Sequence, residues 1–376
     1  MILLPHSKRL AFLLKNSLSL FLFFYFEWLP AQQLAAYHDN QGRFYIFDGG
    51  RTLQAEYLPV NNFSIGGTCL LYTDNRNNLK MYYKGSITTL EVNSPNRFVA
   101  LDYLSVYNIG GIIRIIENGK VVTISTNAIQ YQPEDSLVTF YDSDHELLAV
   151  YYKGGIHILE DGLAGKTISS FQSGDNLVAY VYSRTRDFKI FYQGQNRVIE
   201  PFLSGGIFKA GRDIVAYVNL SDLKFRVFYK GDVFIAEEFR PESWQVGDGI
   251  AAYVDNTGSF KFFGEGETVE ISSFPPDFFV VRNRLVIYGE QGYFKVWYNN
   301  RSYTLETYIP DKWKADWNTI IYIDLNRNVK IFNQGESKVL TYDMVKEIGD
   351  IELNRDVIVV NKGMNNHNVY FKGKKY

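Results

Sequence analysis

Apolar runs and polar turns alternate along this chain in a pattern that repeats about every 36 residues. A typical unit has a run that is apolar on both alternating faces (177–180), then a polar turn, then an aromatic and β-branched run such as 225–229. One position of the first run recurs ten times, at Tyr37, Tyr72, Tyr107, Phe140, Tyr180, Tyr217, Tyr253, Tyr288, Tyr322 and Val360. Self-similarity at a period of ~20–50 residues indicates a solenoid, a propeller or an array.

Each unit divides into four predicted strands, named a to d in chain order. Strand b is the doubly apolar run, which predicts a sheet covered on both sides. Strands c and d are joined by x-Gly pairs such as Lys84-Gly85, which supply the positive φ of a two-residue hairpin turn. Strand a carries an aromatic residue nine positions before the recurring one, at Phe63, Phe98, Tyr131, Phe171, Phe208, Trp244, Phe279 and Trp313, with Ile351 in the last unit.

Antiparallel four-stranded units that are buried on both faces stack radially as propeller blades. We therefore predict an all-β fold, a single β-propeller of about nine or ten four-stranded repeats over residues 32–376. A parallel β-helix is disfavoured because its repeats lack x-Gly hairpins, and a membrane barrel because strand b does not alternate. Trp28 lies nine residues before Tyr37. Either the first unit begins early or, as we favour, this spacing is a coincidence.

Two segments resemble the repeat of TolB-type propellers. Residues 244–253, WQVGDGIAAY, and 171–180, FQSGDNLVAY, each have an aromatic residue, a Gly-Asp turn and a strand-b run. The similarity covers nearly all of the chain after residue 31 but is one of fold, because the usual proline before the Asp is missing. The resemblance implies a periplasmic or extracellular scaffold that mostly binds partners, and it transfers no catalytic residue.

A secretory signal peptide is predicted over residues 1–31. The start is basic, 17–26 is an apolar run, and small or apolar residues precede a cleavage site after Ala31. The alternative is an uncleaved anchor over 10–26, interrupted by Lys15. The apolar run is short for a hydrocarbon core of ~30 Å, so we expect a periplasmic or extracellular protein with no integral membrane segment after cleavage.

Composition narrows the class of protein. Aromatic residues make up 16% of the 376 positions, which is too many for a disordered chain. With 39 Lys+Arg against 41 Asp+Glu the net charge is -2, which argues against a nucleic-acid partner. One cysteine excludes an intramolecular disulfide and a multi-cysteine zinc site. The histidines form no HExxH or i,i+4 pair, so neither a metal site nor a cofactor is predicted.

No catalytic residue is predicted. Acidic residues recur after strand d, at Glu91, Glu160, Glu200, Glu270 and Glu306. A glycosidase needs two exceptional carboxyl groups about 5–9 Å apart. A column of equivalent acids instead fits a structural role, such as pairing with a base of a neighbouring blade.

The second residue of strand c is basic in seven units. These residues form the basic column: Lys80, Arg114, Lys189, Arg226, Lys261, Lys295 and Lys330. In a closed ring they could form a basic annulus that attracts an anionic partner or polysaccharide. The alternative, which we favour, is that they lie over neighbouring aromatic rings or pair with the acidic column.

Two segments depart from the repeat, and variable loops on a repeated scaffold often carry function. They are residues 308–319, YIPDKWKADWNT, and residues 239–244, FRPESW. The predicted ligand-binding residues in them are Tyr308, Lys312, Asp316, Trp317, Arg240 and Glu242.

From these features we expect a non-enzymatic scaffold that binds a protein or surface ligand through one face. One alternative is a carbohydrate-binding or carbohydrate-active propeller that uses Trp317 and nearby carboxylates. Another is an envelope assembly component. A flat face rimmed by aromatic residues would favour the binder, and close, buried acids in a central cleft would favour the enzyme.

Overall fold

The computed structural model describes residues 33–163, 170–182, 184–203, 207–342, 351–361 and 367–376. All of them belong to one compact unit, Ala31–Tyr376. The predicted signal peptide and Trp28 lie outside the described residues. Within these ranges every regular element is a β-strand, and none is a helix that could cross a membrane.

The described strands form ten sheets, which are the blades of the propeller. Blades 1 to 5 contain β1 (Leu34–His38), β2 (Phe44–Asp48), β3 (Arg51–Glu56); β4 (Asn62–Ile65), β5 (Leu70–Thr73), β6 (Leu79–Tyr83), β7 (Ser86–Glu91); β8 (Arg97–Ala100), β9 (Ser105–Ile109), β10 (Ile112–Glu117), β11 (Lys120–Ser125); β12 (Ala128–Glu134), β13 (Leu137–Asp142), β14 (Leu147–Tyr152), β15 (Gly155–Glu160); and β16 (Phe171–Gly174), β17 (Leu177–Val181), β18 (Phe188–Tyr192), β19 (Gln195–Glu200).

Blades 6 to 10 follow the same order. They contain β20 (Ile207–Gly211), β21 (Ile214–Val218), β22 (Phe225–Tyr229), β23 (Asp232–Glu237); β24 (Ser243–Val246), β25 (Ile250–Val254), β26 (Phe260–Gly264), β27 (Glu267–Ser272); β28 (Phe278–Arg282), β29 (Leu285–Glu290), β30 (Tyr293–Tyr298), β31 (Arg301–Glu306); β32 (Trp313–Asp316), β33 (Thr319–Ile323), β34 (Val329–Asn333), β35 (Glu336–Thr341); and β36 (Ile351–Asn354), β37 (Val357–Asn361), β38 (His367–Phe371), β39 (Lys374–Lys375).

The predicted all-β propeller is confirmed, with ten blades. Consecutive strands pair antiparallel, and nine blades show four strands, while the described part of blade 1 shows three. The nine-residue spacing in the sequence is a cross-strand pair, because the strand-a aromatic lies opposite the recurring residue of strand b. Trp244 thus pairs with Tyr253, which pairs in turn with Lys261 of strand c.

Strand a lies innermost and strand d outermost. Neighbouring a-strands contact each other, as β16 and β20 do, whereas d-strands expose most of their residues. The a-strands approach closely where a blade has glycine at the end of strand a. A Cβ atom on Gly211 would lie 2.2 Å from the carbonyl oxygen of Gly247 in the next blade. Only glycine permits that approach.

The hydrophobic core lies between blades. Each cluster joins one blade to the next; Val227 of blade 6, for example, packs with Trp244 and Tyr253 of blade 7. The ring closes in the same way, because Ala35 of blade 1 packs with Val359 of blade 10. Antiparallel connectivity gives the ring two faces. The a–b and c–d turns form the turn face, and the b–c turns and d–a loops form the loop face.

Candidate functional site

The basic column lies at the blade interfaces, against acids. Lys261 Nζ lies 2.8 Å from Glu237, the last residue of strand d in the preceding blade, and 2.8 Å from Asp255. The Tyr253 hydroxyl donates to the same Glu237 carboxylate at 2.9 Å. Equivalent Tyr–Glu–base groups join Tyr72, Glu56 and Lys80; Tyr107, Glu91 and Arg114; Tyr217, Glu200 and Arg226; and Tyr322, Glu306 and Lys330.

The other two basic residues have different partners. Lys189 lies over the ring of Tyr182, with Nζ 3.8 Å from its centroid. Lys295 pairs with Glu290 of its own blade, because Ser272 occupies the place of the acid in the preceding strand d. The hydrogen bond to Glu290, opposed by burial, raises the pKa of Lys295. The basic annulus remains a prediction, but all seven bases have partners within the ring.

The acidic column was misplaced in one unit. Glu270 pairs across from Lys261 inside strand d, two residues before its end at Ser272. The acids that do end strand d include Glu56 and Glu237, which the sequence pattern missed. In blade 7 the pair of an apolar residue and an acid lies two positions before the end of strand d, and in blades 1 and 6 the residue before the terminal acid is alanine. A search for a large apolar residue before an acid therefore misassigned the column.

The a-strands line a central channel. One groove of about 380 Å³ is bordered by Arg97, Tyr131, Glu134 and Gln172. Another, of about 400 Å³, is bordered by Arg282, Trp313, Lys314 and Asp316. These residues come from the inner strands of blades 3 to 5 and 8 to 9, respectively.

A central cluster of charged side chains lies across this channel at the turn face. It consists of the residue four positions after the strand-a aromatic, or after Ile351 in blade 10, and its members are Asp102, Asp135, Asp175, Arg212, Asp248 and Arg355. Arg212 of blade 6 lies 2.9 Å from Asp135 of blade 4 and 3.1 Å from Asp175 of blade 5. Arg355 of blade 10 pairs with Asp102 of blade 3. Because the Arg212–Asp135 and Arg355–Asp102 pairs join blades that are not neighbours, they bridge the ring.

Acids outnumber bases in this region, and the pKa values of several carboxyl groups are raised. Burial, with the charges of Asp102 and Asp175, raises the pKa of Asp135 to about 7. Burial also raises the pKa of Glu134 to about 8, with a contribution from Asp175 and Asp135. The Arg212 contact acts in the opposite direction on Asp135 but is outweighed.

The first predicted segment is divided by a strand. Tyr308 and Lys312 lie in the loop before β32 and belong to the loop face, where the Tyr308 hydroxyl accepts the Leu325 N–H at 3.1 Å. Asp316 and Trp317 follow at the turn face. The Arg355 guanidinium covers the Trp317 ring at 4.7 Å, and burial raises the pKa of Asp316. β32 therefore separates the four residues into two pairs.

The second predicted segment lies on the loop face. Arg240 and Glu242 are exposed, and they flank a buried Pro241 in the loop between blades 6 and 7. The neighbouring Phe239 is 61% exposed. These residues therefore share a face with Tyr308 and Lys312.

Sequence reasoning missed a row of exposed apolar side chains on the loop face. They follow the end of strand d in six blades and form what we call the loop-face rim: Tyr57, Val92, Phe202, Phe239, Phe274 and Tyr342. Tyr57 is 82% exposed, although aromatic residues elsewhere in the repeat pack between blades. The signal was present as an apolar residue one or two positions after strand d.

Among the described residues, no group of three His, Cys, Asp or Glu side chains is arranged to hold a metal ion. The aspartates of the b–c turns bind backbone amides. Asp255 accepts from the N–H groups of Thr257 and Ser259, at 2.8 and 2.9 Å. These acids therefore stabilise the turns.

Comparison with known proteins identifies the architecture. The family described as "10-bladed beta propeller domain" matches residues 28–376, a range that contains all ten described blades. It begins at Trp28, inside the predicted signal peptide, and cleavage after Ala31 remains a prediction. None of the curated proteins matches the chain.

Solved structures show distant likeness. The computationally designed Ika8 protein has a TM-score of 0.35 at 11% identity, over 90% of this chain and 99% of that one. Hsv2 from Kluyveromyces lactis has a TM-score of 0.33 at 11% identity, over 77% and 99%. The tricorn protease has a TM-score of 0.32 at 11% identity, over 91% and 45%. Likeness at this level carries no argument about function.

Proposed function

We propose that this chain, which belongs to the family of ten-bladed β-propeller domains, is a secreted or periplasmic, non-enzymatic scaffold that binds a protein or surface ligand through its loop face. The observation that carries this proposal is the loop-face rim. Exposed aromatic side chains are costly to leave in water and are enriched in protein interfaces. Here they recur at one structural position around the ring.

Charged residues beside the rim support a specific contact. Arg240 and Glu242 are exposed on either side of Pro241, next to Phe239. Aromatic anchors with a polar and charged surround are the usual composition of a binding hot spot. The turn face differs, since its centre is occupied by pairs such as Arg212–Asp135.

The experiment compares two triple variants of the mature chain. One replaces rim residues (Tyr57→Ser, Phe239→Ser, Phe274→Ser). The control replaces exposed apolar residues of outer strands (Val121→Ser, Val198→Ser, Ile235→Ser). Proteins captured from envelope fractions, and glycans bound on an array, are compared with those of the wild type. We expect the rim variant to lose a partner that the control keeps. Equal capture by all three proteins would contradict the proposal.

A carbohydrate-active channel is the second candidate. Glu134 borders the channel beside Tyr131 and has a pKa raised to about 8, mainly by burial, as a general acid requires. Glycan hydrolysis that is lost in Glu134→Gln and retained in the rim variant would favour this candidate over the scaffold. Secretion is tested separately, by fractionation and by the mass of the exported chain, which should lack residues 1–31.

A further inference from the structure

A tyrosine recurs at the end of strand c and packs on the next blade. The last residue of strand c is tyrosine in five blades, and in four of them its ring meets an aromatic ring of the following blade. The pairs are Tyr152–Phe191, Tyr192–Phe228, Tyr229–Phe263 and Tyr298–Phe332. Their centroids lie 5.5–6.1 Å apart at interplanar angles of 80–87°. This edge-to-face contact is a repeated feature of the ring.

Blade 7 lacks that tyrosine. Its strand c ends at Gly264, and the ring that would receive the tyrosine in blade 8 is Trp297. Trp297 is 9% exposed, and its indole Nε1–H has no hydrogen-bond partner within the described part of the chain. The Phe262 ring of blade 7 contacts Trp297 instead, with the ring centroids 5.9 Å apart. The tyrosine that four other blades place on the equivalent ring is therefore missing here.

A cavity of about 130 Å³ lies at this place, bordered by Gly264, Trp297, Phe262 and Tyr229. Phe262 fills part of the space, since a Cβ atom on Gly264 would lie 2.7 Å from its ring. The equivalent residues of blades 6 and 8 are the smaller Val227 and Val296. An engineered apolar cavity of about 150 Å³ binds benzene. The cavity is slightly smaller than that and opens to solvent at its mouth, so its size is comparable with that of a single aromatic ring.

The chemistry at the mouth of the cavity also differs from that of the other blades. In blade 5 the Tyr192 hydroxyl donates to Asp213, in the a–b turn of the next blade, at 2.8 Å. The equivalent turn residue beside the cavity is Arg284. Arg284 is exposed and makes no ion pair among the described side chains. Where blade 6 offers the Tyr192 phenol an acceptor, blade 8 presents a guanidinium group, which carries only donors and binds carboxylates.

The remaining charges at the mouth limit the charge of the ligand. Lys230 adds a second positive group, and Glu265 adds a negative one. Asp213 and Arg212 border the cavity as well, but Asp213 accepts from Tyr192 and Asn176, and Arg212 pairs with two aspartates of the central cluster. Asp248 also borders the cavity, but it accepts from Asn283 at 3.2 Å and lies 3.9 Å from Arg212. This set suits a ligand with one negative charge better than a dianion.

We propose that the cleft between blades 7 and 8 binds a small aromatic monocarboxylate. The ring lies in the space beside Phe262 and Trp297 that no tyrosine fills, and the carboxylate pairs with Arg284. The site belongs to the turn face, opposite the loop-face rim, so it does not depend on the proposed scaffold function.

The test measures binding of phenylacetate and of its neutral analogue benzyl alcohol by calorimetry and ligand-observed NMR. We expect saturable binding of phenylacetate to the full propeller and weaker binding of benzyl alcohol. Arg284→Gln should weaken phenylacetate binding about tenfold, because a charge-assisted contact is lost, and leave benzyl alcohol unchanged. The control Arg51→Gln removes an exposed arginine of blade 1 and should change neither.

A second variant fills the cavity with the side chains that other blades carry. Phe262→Val with Gly264→Tyr reproduces the Val227 and Tyr229 arrangement of blade 6 and should abolish binding of both probes while the thermal midpoint is retained. The proposal is overturned if no probe binds saturably, if the filled variant binds as the wild type does, or if Arg284→Gln leaves phenylacetate affinity unchanged. Because Arg284 is exposed, its variant remains informative even if the filled variant does not fold.

Discussion

The interface between blades 6 and 7 and the interface between blades 3 and 4 share one backbone plan but differ in chemistry. At the first, Tyr253 and Lys261 of blade 7 both bind Glu237 of blade 6. At the second, the three equivalent positions are Phe140, Ala149 and Ser125. The Ser125 hydroxyl donates instead to Asp142, at 2.7 Å. The same three interface positions therefore hold polar residues between blades 6 and 7 and largely apolar residues between blades 3 and 4.

The two interfaces also differ at the inner strands. Gly211 lets blades 6 and 7 approach, whereas Leu101 occupies the equivalent position of blade 3. The a–b turns there carry Arg212 and Asp248, an opposite-charge pair, but Asp102 and Asp135 in blades 3 and 4. The blades repeat one backbone shape, but the polar residues at an interface differ together from one interface to another. Replacing only one residue of a Tyr–Glu–base group would leave a buried partner without its hydrogen bond or counter-charge.

The largest loss of stability is expected where Gly211 of blade 6 approaches Gly247 of blade 7. Gly211→Ala places a Cβ atom 2.2 Å from the Gly247 carbonyl oxygen, and the inner strands must separate to accommodate it. We expect a loss of about 3 kcal/mol in the free energy of unfolding, measured by urea denaturation. The control is Gly155→Ala, where the nearest neighbour of the added Cβ lies 3.7 Å away. A similar change in both variants would break this account of the interface.

The next largest loss of stability distinguishes the polar contacts between blades 6 and 7 from those between blades 3 and 4. Glu237→Ala leaves the Tyr253 hydroxyl without its acceptor and removes one of the two acids beside Lys261, so we expect a loss of about 2–3 kcal/mol. Ser125→Ala removes the bond to Asp142 across the other interface and a longer local bond from the Asn127 N–H, at 3.3 Å, and should cost about 1 kcal/mol. Urea midpoints of the two variants test the difference. Equal losses would show that the Tyr–Glu–base group adds nothing beyond a single bond.

A triple variant tests whether the polar contacts act as a set. Glu237→Ser, Tyr253→Phe and Lys261→Ala together give blades 6 and 7 the residues of blades 3 and 4, and Asp255 stands where Asp142 does. Because Ser at 237 can donate to Asp255, we expect the triple variant to be about 1 kcal/mol more stable than Glu237→Ala. Additive losses from the three single variants would contradict this expectation.

The smallest effect concerns pH at the turns of blades 3 and 4. The folded-state pKa of Asp135 is raised to about 7 from 3.8, chiefly by burial. The folded chain then binds this proton more tightly than the unfolded chain, so stability is lost as pH rises through about 7. Asp135→Asn should reduce the loss between pH 6 and pH 8 by about 1 kcal/mol. Thermal midpoints across this range measure it, and an unchanged slope would refute the assignment.

Much of the fold could be predicted because the repeat is local. The nine-residue interval between Trp244 and Tyr253 is one hairpin pair, and the x-Gly turns occupy the ends of strands c and d. Both are set by residues close in sequence. The number of blades was harder to predict, because Val360 stands in blade 10 where most blades have the recurring tyrosine.

The candidate sites were harder to predict, since they depend on residues far apart in the chain. Nothing near Arg212 indicates that it reaches Asp135, 77 positions away. The segment with Tyr308 and Trp317 looked continuous, yet the intervening strand β32 divides it between the two faces. The cavity beside Gly264 is recognised because other blades carry a tyrosine at the same position of strand c. Only the strand register of the structure shows which positions are equivalent.

The sequence by itself determined the strands, their turns and the radial stacking, because doubly apolar runs of fixed length must be covered on both sides. It also determined which positions are aromatic or charged in each unit. Only the tertiary structure decided which charges meet. A ring brings together residues of different blades at its inner turns and interfaces, and their burial there sets their pairing and their pKa values.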